Sequence, residues 1–238
     1  MAALAGLGLG RRLPTRHLDS DTRDMVRQVA GFLGALVALV LGLLVASAKA
    51  SYDQHRQQLQ DIAANIVALD TALAHFGEGA GGARAALRSA VAEELDRFSA
   101  GGKIGGAGLD RPVREARVLG FYDLVAALTP QTDAERLART RALQLVDSIA
   151  ATRVLMTEDP SGSIPSPFLV VLVFWVAAML VSFGLFALPN PTVVVALMVG
   201  AISAAGAVYL ILELDRPLDG AMRLSTEPLR YAVESLGR

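Results

Sequence analysis

The sequence predicts an all-α, polytopic membrane protein: three full transmembrane helices, plus an N-terminal stub, with a water-facing four-helix bundle inserted between the first and second spans. Three observations carry this. Not one Asp, Glu, Lys or Arg occurs from Pro160 to Leu212, a stretch that no soluble domain of 238 residues needs. A second apolar run lies between Arg27 and Lys49, which bracket 21 uncharged residues, enough to cross a hydrocarbon core of roughly 30 Å. Between these runs, apolar residues recur at helical spacing among many charges.

Composition narrows the function classes. Net charge is −1, which argues against a dedicated nucleic-acid binder. Cysteine is absent, so there is no disulfide framework, thiol nucleophile or thiolate metal site.

Residues 1–29 form an apolar stub and a basic segment. Ala2 to Gly10 would span only about 14 Å as a helix, half a bilayer. Arg11, Arg12 and Arg16 follow the apolar run, the reverse of a secretory signal. Residues 30–49 are the first full span. Within it Ala30, Gly34, Ala38, Gly42 and Ala46, with Ala50 beyond, recur every fourth position, a small-residue stripe suited to close helix packing in lipid. The stripe does not say whether its partner belongs to the same chain.

Residues 50–159 are the extramembrane bundle. The first helix continues into it, since no Pro or Gly interrupts Tyr52 to Phe76. Leu59, Ile62, Ile66, Leu69, Leu73 and Phe76 alternate spacings of three and four, a bundle seam. As one helix, Gln28–Phe76 would be about 73 Å long. Gly77 suits its C-terminus. Ala83–Ser99 places Leu87, Val91, Leu95 and Phe98 on one face; the glycines from 101 to 108 make a loop. Pro112–Leu128 presents Val113, Arg117, Phe121, Leu124 and Leu128, with Val118 and Val125 alongside. Thr132 with Glu135 forms a capping box opening the fourth helix, in which Leu145, Ile149 and Met156 face inward. Asp110–Arg114, Glu93–Arg97 and Glu135–Arg139 sit at i,i+4, as on solvated faces, and Glu93, Glu94 and Asp96 read the same way.

Residues 167–188 form the second span, opened by Ser166-Pro167 as cap and first position. A tight turn over 188–192 reuses that device with Asn190-Pro191, and residues 192–212 cross back. Ala196, Gly200 and Ala204 make a second small-residue stripe. Trp175, well inside its span, reads as a packing residue or a constriction, and Asn190 is the other polar candidate at that role. Residues 213–238 are a polar tail ending in a short amphipathic helix with Leu229, Ala232, Val233 and Leu236.

The C-terminal third carries a resemblance. Phe174-Trp175, Ser182-Phe183-Gly184-Leu185-Phe186, Pro189-Asn190 and above all Leu210-Ile211-Leu212-Glu213-Leu214-Asp215-Arg216-Pro217 with Gly220 resemble the bacterial bestrophin-like domain family. Ala38 to Lys49 and Arg12-Leu13-Pro14 with His17-Leu18 are similar to it at the other end, and the centre matches chiefly at Leu69-Asp70. The resemblance implies a multi-pass protein of the bacterial plasma (inner) membrane. It also implies a full membrane helix before Arg12, of which Met1 leaves about nine apolar residues. True bestrophins are pentameric anion channels, but the matching residues transfer no chloride pore.

No catalytic, cofactor-binding or metal constellation emerges. His17, His55 and His75 lack ligand spacing, and the glycine-rich segments lack the Lys-Ser/Thr ending of a phosphate loop. The sharpest candidate is Glu213, Asp215 and Arg216 at the end of the third span. Carboxylates there add to an already negative helix end and need compensation. Arg216, or Arg223 and Arg230, would pin the tail. A bound inorganic cation, or a ring of carboxylates at a pore mouth, would instead make the cluster an ion site.

Charge counts on orientation conflict. The arginines before the first span favour a cytoplasmic N-terminus; Arg216, Arg223 and Arg230 after the last favour a cytoplasmic C-terminus. The expected partners are the lipid bilayer and further copies of the chain. The expected role is a non-enzymatic homo-oligomer with ion-channel or ion-transport activity. The alternative is a membrane scaffold, sensor or docking protein that uses the bundle.

Overall fold

The computed structural model describes residues 20–99, 111–158, 164, 166–185, 190–215 and 224–236. Among them all regular structure is helical: α1 (Ser20–Phe76), a 3-10 turn (Glu78–Ala80), α2 (Gly81–Ser99), α3 (Arg111–Ala126), α4 (Asp133–Glu158), α5 (Ser166–Leu185), α6 (Pro191–Leu214) and α7 (Glu227–Ser235). Three of these, α1, α5 and α6, are long and apolar enough to cross a membrane. The chain divides into two compact units. The first takes residues up to Ser51 and Ser161–Arg216; the second takes Tyr52–Pro160 and Pro217–Arg238.

In the first unit α5 packs on α6, and one apolar cluster joins both to α1. Its buried members are Val37, Leu44, Ala48, Ile164, Leu172 and Ile211, with Trp175, Val176 and Met179 packed against them. On α1 the buried and half-buried positions include Ala30, Gly34, Val37, Leu41, Leu44 and Ala48. Their alternating spacing of four and three averages about 3.6, the period of the helix itself, which holds one face toward the neighbours. α5 repeats the device with Leu169, Leu172, Val176 and Met179, and α6 with Leu197, Ala201, Ala204, Val208 and Ile211. Lipid-facing positions are apolar too, as Phe32, Phe168, Phe174 and Ile202 show by their exposure. The pattern is therefore read from spacing, not from hydrophobicity.

The expected small-residue stripe on α1 coincides with this face only at its start. Ala30 is buried and Gly34 half-buried, but Ala38, Gly42 and Ala46 are exposed within the chain. The reason is geometric. Each four-residue step turns about 40° beyond a full circle, so Gly42 lies about 120° round from Ala30. The α6 stripe drifts likewise: Ala204 is half-buried, whereas Ala196 and Gly200 are exposed.

The second unit gathers α1 beyond Tyr52, α2, α3, α4 and α7 around one core. Leu59, Ile62, Ile66, Leu69, Leu73 and Phe76 are all buried, as their spacing predicts. Gly77, with φ of 95°, ends α1; its N–H donates to the Ala74 carbonyl at 3.1 Å. This is the left-handed geometry that glycine adopts without steric cost. Leu87 and Val91 of α2 and Ala138, Ala142, Leu145, Val146 and Met156 of α4 complete the wall, with Ile149 packed against it.

Two sequence expectations change here. On α3 the inward residue is Val125, with Phe121, Tyr122 and Leu128 packed beside it; Arg117 and Leu124 are exposed. Pattern alone could not fix that face, because Leu119 and Leu124 offer a second apolar choice. The tail is not merely polar: Leu224, Leu229, Ala232 and Leu236 are buried in the same core, and α7 packs on α2. Helix α4 opens as expected. The Glu135 N–H donates to Thr132 Oγ1 at 3.2 Å, and the Gln131 N–H donates to Glu135 Oε2 at 2.6 Å. The hydrogen bond from the Gln131 amide, with the Thr132 contacts, lowers the Glu135 carboxyl below its ordinary 4.5. The Arg139 guanidinium meets the Ala126 carbonyl at 2.6 Å, closing the end of α3, instead of the i,i+4 pair with Glu135. The terminal segment to Asp19, the 101–108 loop and the Asp110–Arg114 pair lie outside the described residues, as do the Phe98 and Val113 side chains.

Candidate functional site

The end of α6 carries the first two residues of the acidic cluster that the sequence singles out. Asp215 is the residue that closes the helix, and its N–H donates to the Ile211 carbonyl at 3.0 Å. Asp215 is buried and Glu213 half-buried, and neither residue is without a partner. Arg216 and Arg223 lie outside the described residues. Arg230 is on α7, with Nε 3.7 Å from Glu234 Oε1 on its own helix.

The remaining membrane candidates have structural roles. Asn190 is exposed, and its side chain accepts from the Thr192 N–H at 3.0 Å, capping α6 ahead of Pro191. That bond makes it a helix cap. Trp175 packs against the apolar cluster. Ser182 Oγ donates to the Ala178 carbonyl at 2.9 Å, so this hydroxyl is satisfied on its own helix. Gly34 has a specific reason to be small: a Cβ there would lie 3.3 Å from Met179 Cε.

The charges that the fold brings together are in the second unit. Arg84 Nε donates to Asp70 Oδ1 at 2.8 Å and its NH2 group donates to Asp70 Oδ2 at 2.9 Å. Asp70 is buried at 6 % exposure, and this fork joins the end of α1 to the start of α2. Hydrogen bonding to Asp70 raises the Arg84 guanidinium further above its already high value. Glu94, also buried, accepts from Arg97 at 2.9 Å and lies 3.7 Å from Arg153 of α4. Glu93 turns outward and meets Arg117 of α3 at 3.2 Å. The acidic run of α2 is thus split: Glu93 and Asp96 are exposed, as expected, and Glu94 is not.

The signals for these pairs were present in the pattern. Asp70 follows Ile66 by four and precedes Leu73 by three, so it shares the seam face. Glu94 follows Val91 by three and Leu87 by seven. Both carboxylates stand on apolar faces, where a charge must be paired. The chemistry they offer is electrostatic pairing. Among the described residues no three His, Cys, Asp or Glu side chains cluster to hold a metal ion. The His75 Nδ1–H donates to the Thr71 carbonyl at 2.8 Å, and His55 is half-buried with a partner of its own.

The family model of the bestrophin-like domain matches residues 1–229. The chain belongs to the bestrophin-like domain family. The match takes in the three apolar helices and reaches into α7, so the domain comprises both units. This bestrophin-like chain is accordingly a membrane protein, with three helices long and apolar enough to cross a membrane among its described residues. Comparison with curated proteins and with solved structures gives no match.

Proposed function

We propose that this protein works as a homo-oligomer in the bacterial inner membrane and passes inorganic ions between its copies, with no catalytic step. The observation that carries the reading is the exposed small-residue surface of the first unit. Ala38, Gly42 and Ala46 on α1, with Gly200, Ser203 and Gly206 on α6, face outward in the single chain. No neighbour lies within 4 Å of a Cβ built at Gly42, Gly200 or Gly206. Small residues suit close approach of helix backbones in lipid, where apolar surface alone gives no drive to associate. The cluster between α1, α5 and α6 is filled by Val37, Leu44, Leu172 and Ile211, which supports a path between copies over one through a copy. Such a path is lined by glycine, alanine and serine, and the Glu213 and Asp215 carboxylates stand at its end as the charged ring.

The second unit supports the alternative of a scaffold or docking protein, because Leu119 and Leu137 are exposed there at 61 % and 73 %. One experiment separates the two. The protein is purified in detergent, its mass measured, and the assembly placed in liposomes for ion flux. An oligomer with flux supports the channel reading. An oligomer without flux leaves the scaffold, and a monomer without flux refutes the first proposal.

A further inference from the structure

We propose that α7 is a two-state clasp, a short helix that docks on and releases from the second core while the rest of that core stays folded. Its docking rests on one narrow apolar face. Leu229, Ala232 and Leu236, with Leu224 just ahead, are buried, whereas Glu227, Arg230, Tyr231 and Glu234 are exposed. A nine-residue helix is too short to persist alone in water, so α7 is helical when docked and unfolded when released. By contrast, α1 carries six seam residues of the same core on a helix of 57 residues and holds its fold through them. The two elements therefore open with different free energies, which is the condition for local opening ahead of global unfolding.

The sequence makes this opening reversible and gives it a consequence. Leu224 follows Asp215 by nine residues, so the clasp stays tethered to the end of α6 at high effective concentration and re-docks without a second-order step. Docked, it ties the chain that leaves the last membrane helix to α2. Released, it uncovers the apolar face of α2 that it had filled. The inference does not depend on whether the protein conducts ions.

The test is hydrogen exchange followed by mass spectrometry on the full chain in detergent micelles. In the unmodified protein, amides of residues 229–236 should exchange at least about tenfold faster than those of residues 62–76. Leu229→Ala should speed the first set by a further factor of about thirty or more, the lower end for a buried Leu→Ala, and leave the second unchanged. Tyr231→Ala, at an exposed position of the same helix, should change neither. A common rate for both segments in the unmodified protein would overturn the clasp. So would equal acceleration of both by Leu229→Ala, or failure of that variant to fold, since each makes α7 an inseparable part of the core.

Discussion

The fork between Asp70 and Arg84 allows a prediction whose size depends on which partner is removed. The Asp70 side chain is 9 % exposed and that of Arg84 27 %, so the two ends of the pair differ in access to water. Arg84→Ala leaves an ionised carboxylate among Leu69, Leu73 and the other core residues with its two strongest donors gone. Breaking a buried pair in this way costs about 3–5 kcal/mol, and the lower end applies where one partner reaches solvent, so about 3 kcal/mol is expected. Asp70→Asn removes the charge but keeps an oxygen able to accept from Arg84, and Arg84 recovers water for the rest. That change should cost only about 1–2 kcal/mol, the scale of a weakened charged hydrogen bond. Helicity followed by circular dichroism during heating, at one scan rate for all variants, gives the comparison. For a chain of this size about 3 kcal/mol corresponds to a fall of roughly 6–12 °C, and about 1–2 kcal/mol to roughly 2–8 °C. The double variant should lose less than the sum of the two, because once the arginine is gone the neutral side chain is the better tenant. If Asp70→Asn proves as costly as Arg84→Ala, or the two effects add, the burial of the carboxylate is not what the pair compensates and the reasoning fails.

Gly34→Leu should destabilise the single chain by about 1–3 kcal/mol, because its side chain meets Met179, whereas Gly42→Leu should leave unfolding unchanged and weaken association at least about tenfold, read as a shift in mass against concentration. An unchanged oligomer in the Gly42 variant would mean that this face meets lipid. Glu135→Ala should speed amide exchange over the first turn of α4 at neutral pH. Because the Glu135 carboxyl is lowered in the folded state, its contribution is present above its unfolded value and lost as pH falls through the lowered one, so the difference from the unmodified protein should shrink in acid. Because a carboxylate at a negative helix end requires compensation, Glu213→Gln should lower stability by about 0.3–1 kcal/mol, read as a slightly lower melting temperature, with the effect shrinking in high salt; a gain in stability would show the charge uncompensated.

What the sequence made legible follows from where two different solvents act on the chain. In the second unit water surrounds a core, so period and polarity carry the same message: the Leu59-to-Phe76 seam, the Gly77 stop and the Thr132–Glu135 cap could all be placed from spacing. In the first unit both faces of each helix are apolar, and only small residues mark packing. There the i,i+4 stripe marks the packing face inside the chain only at Ala30 and Gly34 and then winds away from it, while Val37, Leu41, Leu44 and Ala48 keep to that face. The same rule explains the missed charges. A carboxylate within an amphipathic pattern is naturally assigned to the wet face, but Asp70 stands four residues after Ile66 and three before Leu73, and Glu94 three after Val91 and seven after Leu87, which fixes them to the dry face whatever their type. Arg97, three residues on, is a partner of Glu94 that local spacing names, but Arg84, 14 residues from Asp70, and Arg153 of α4 are named by no local pattern. Spacing therefore tells which charges are buried; the fold supplies their distant partners. At Glu213 and Asp215 too, the position at a negative helix end is sequence-local. Substituting them reads out the compensating group directly, because the helix-end term is the same for every candidate partner and only the partner's own charge, screening and mobility differ.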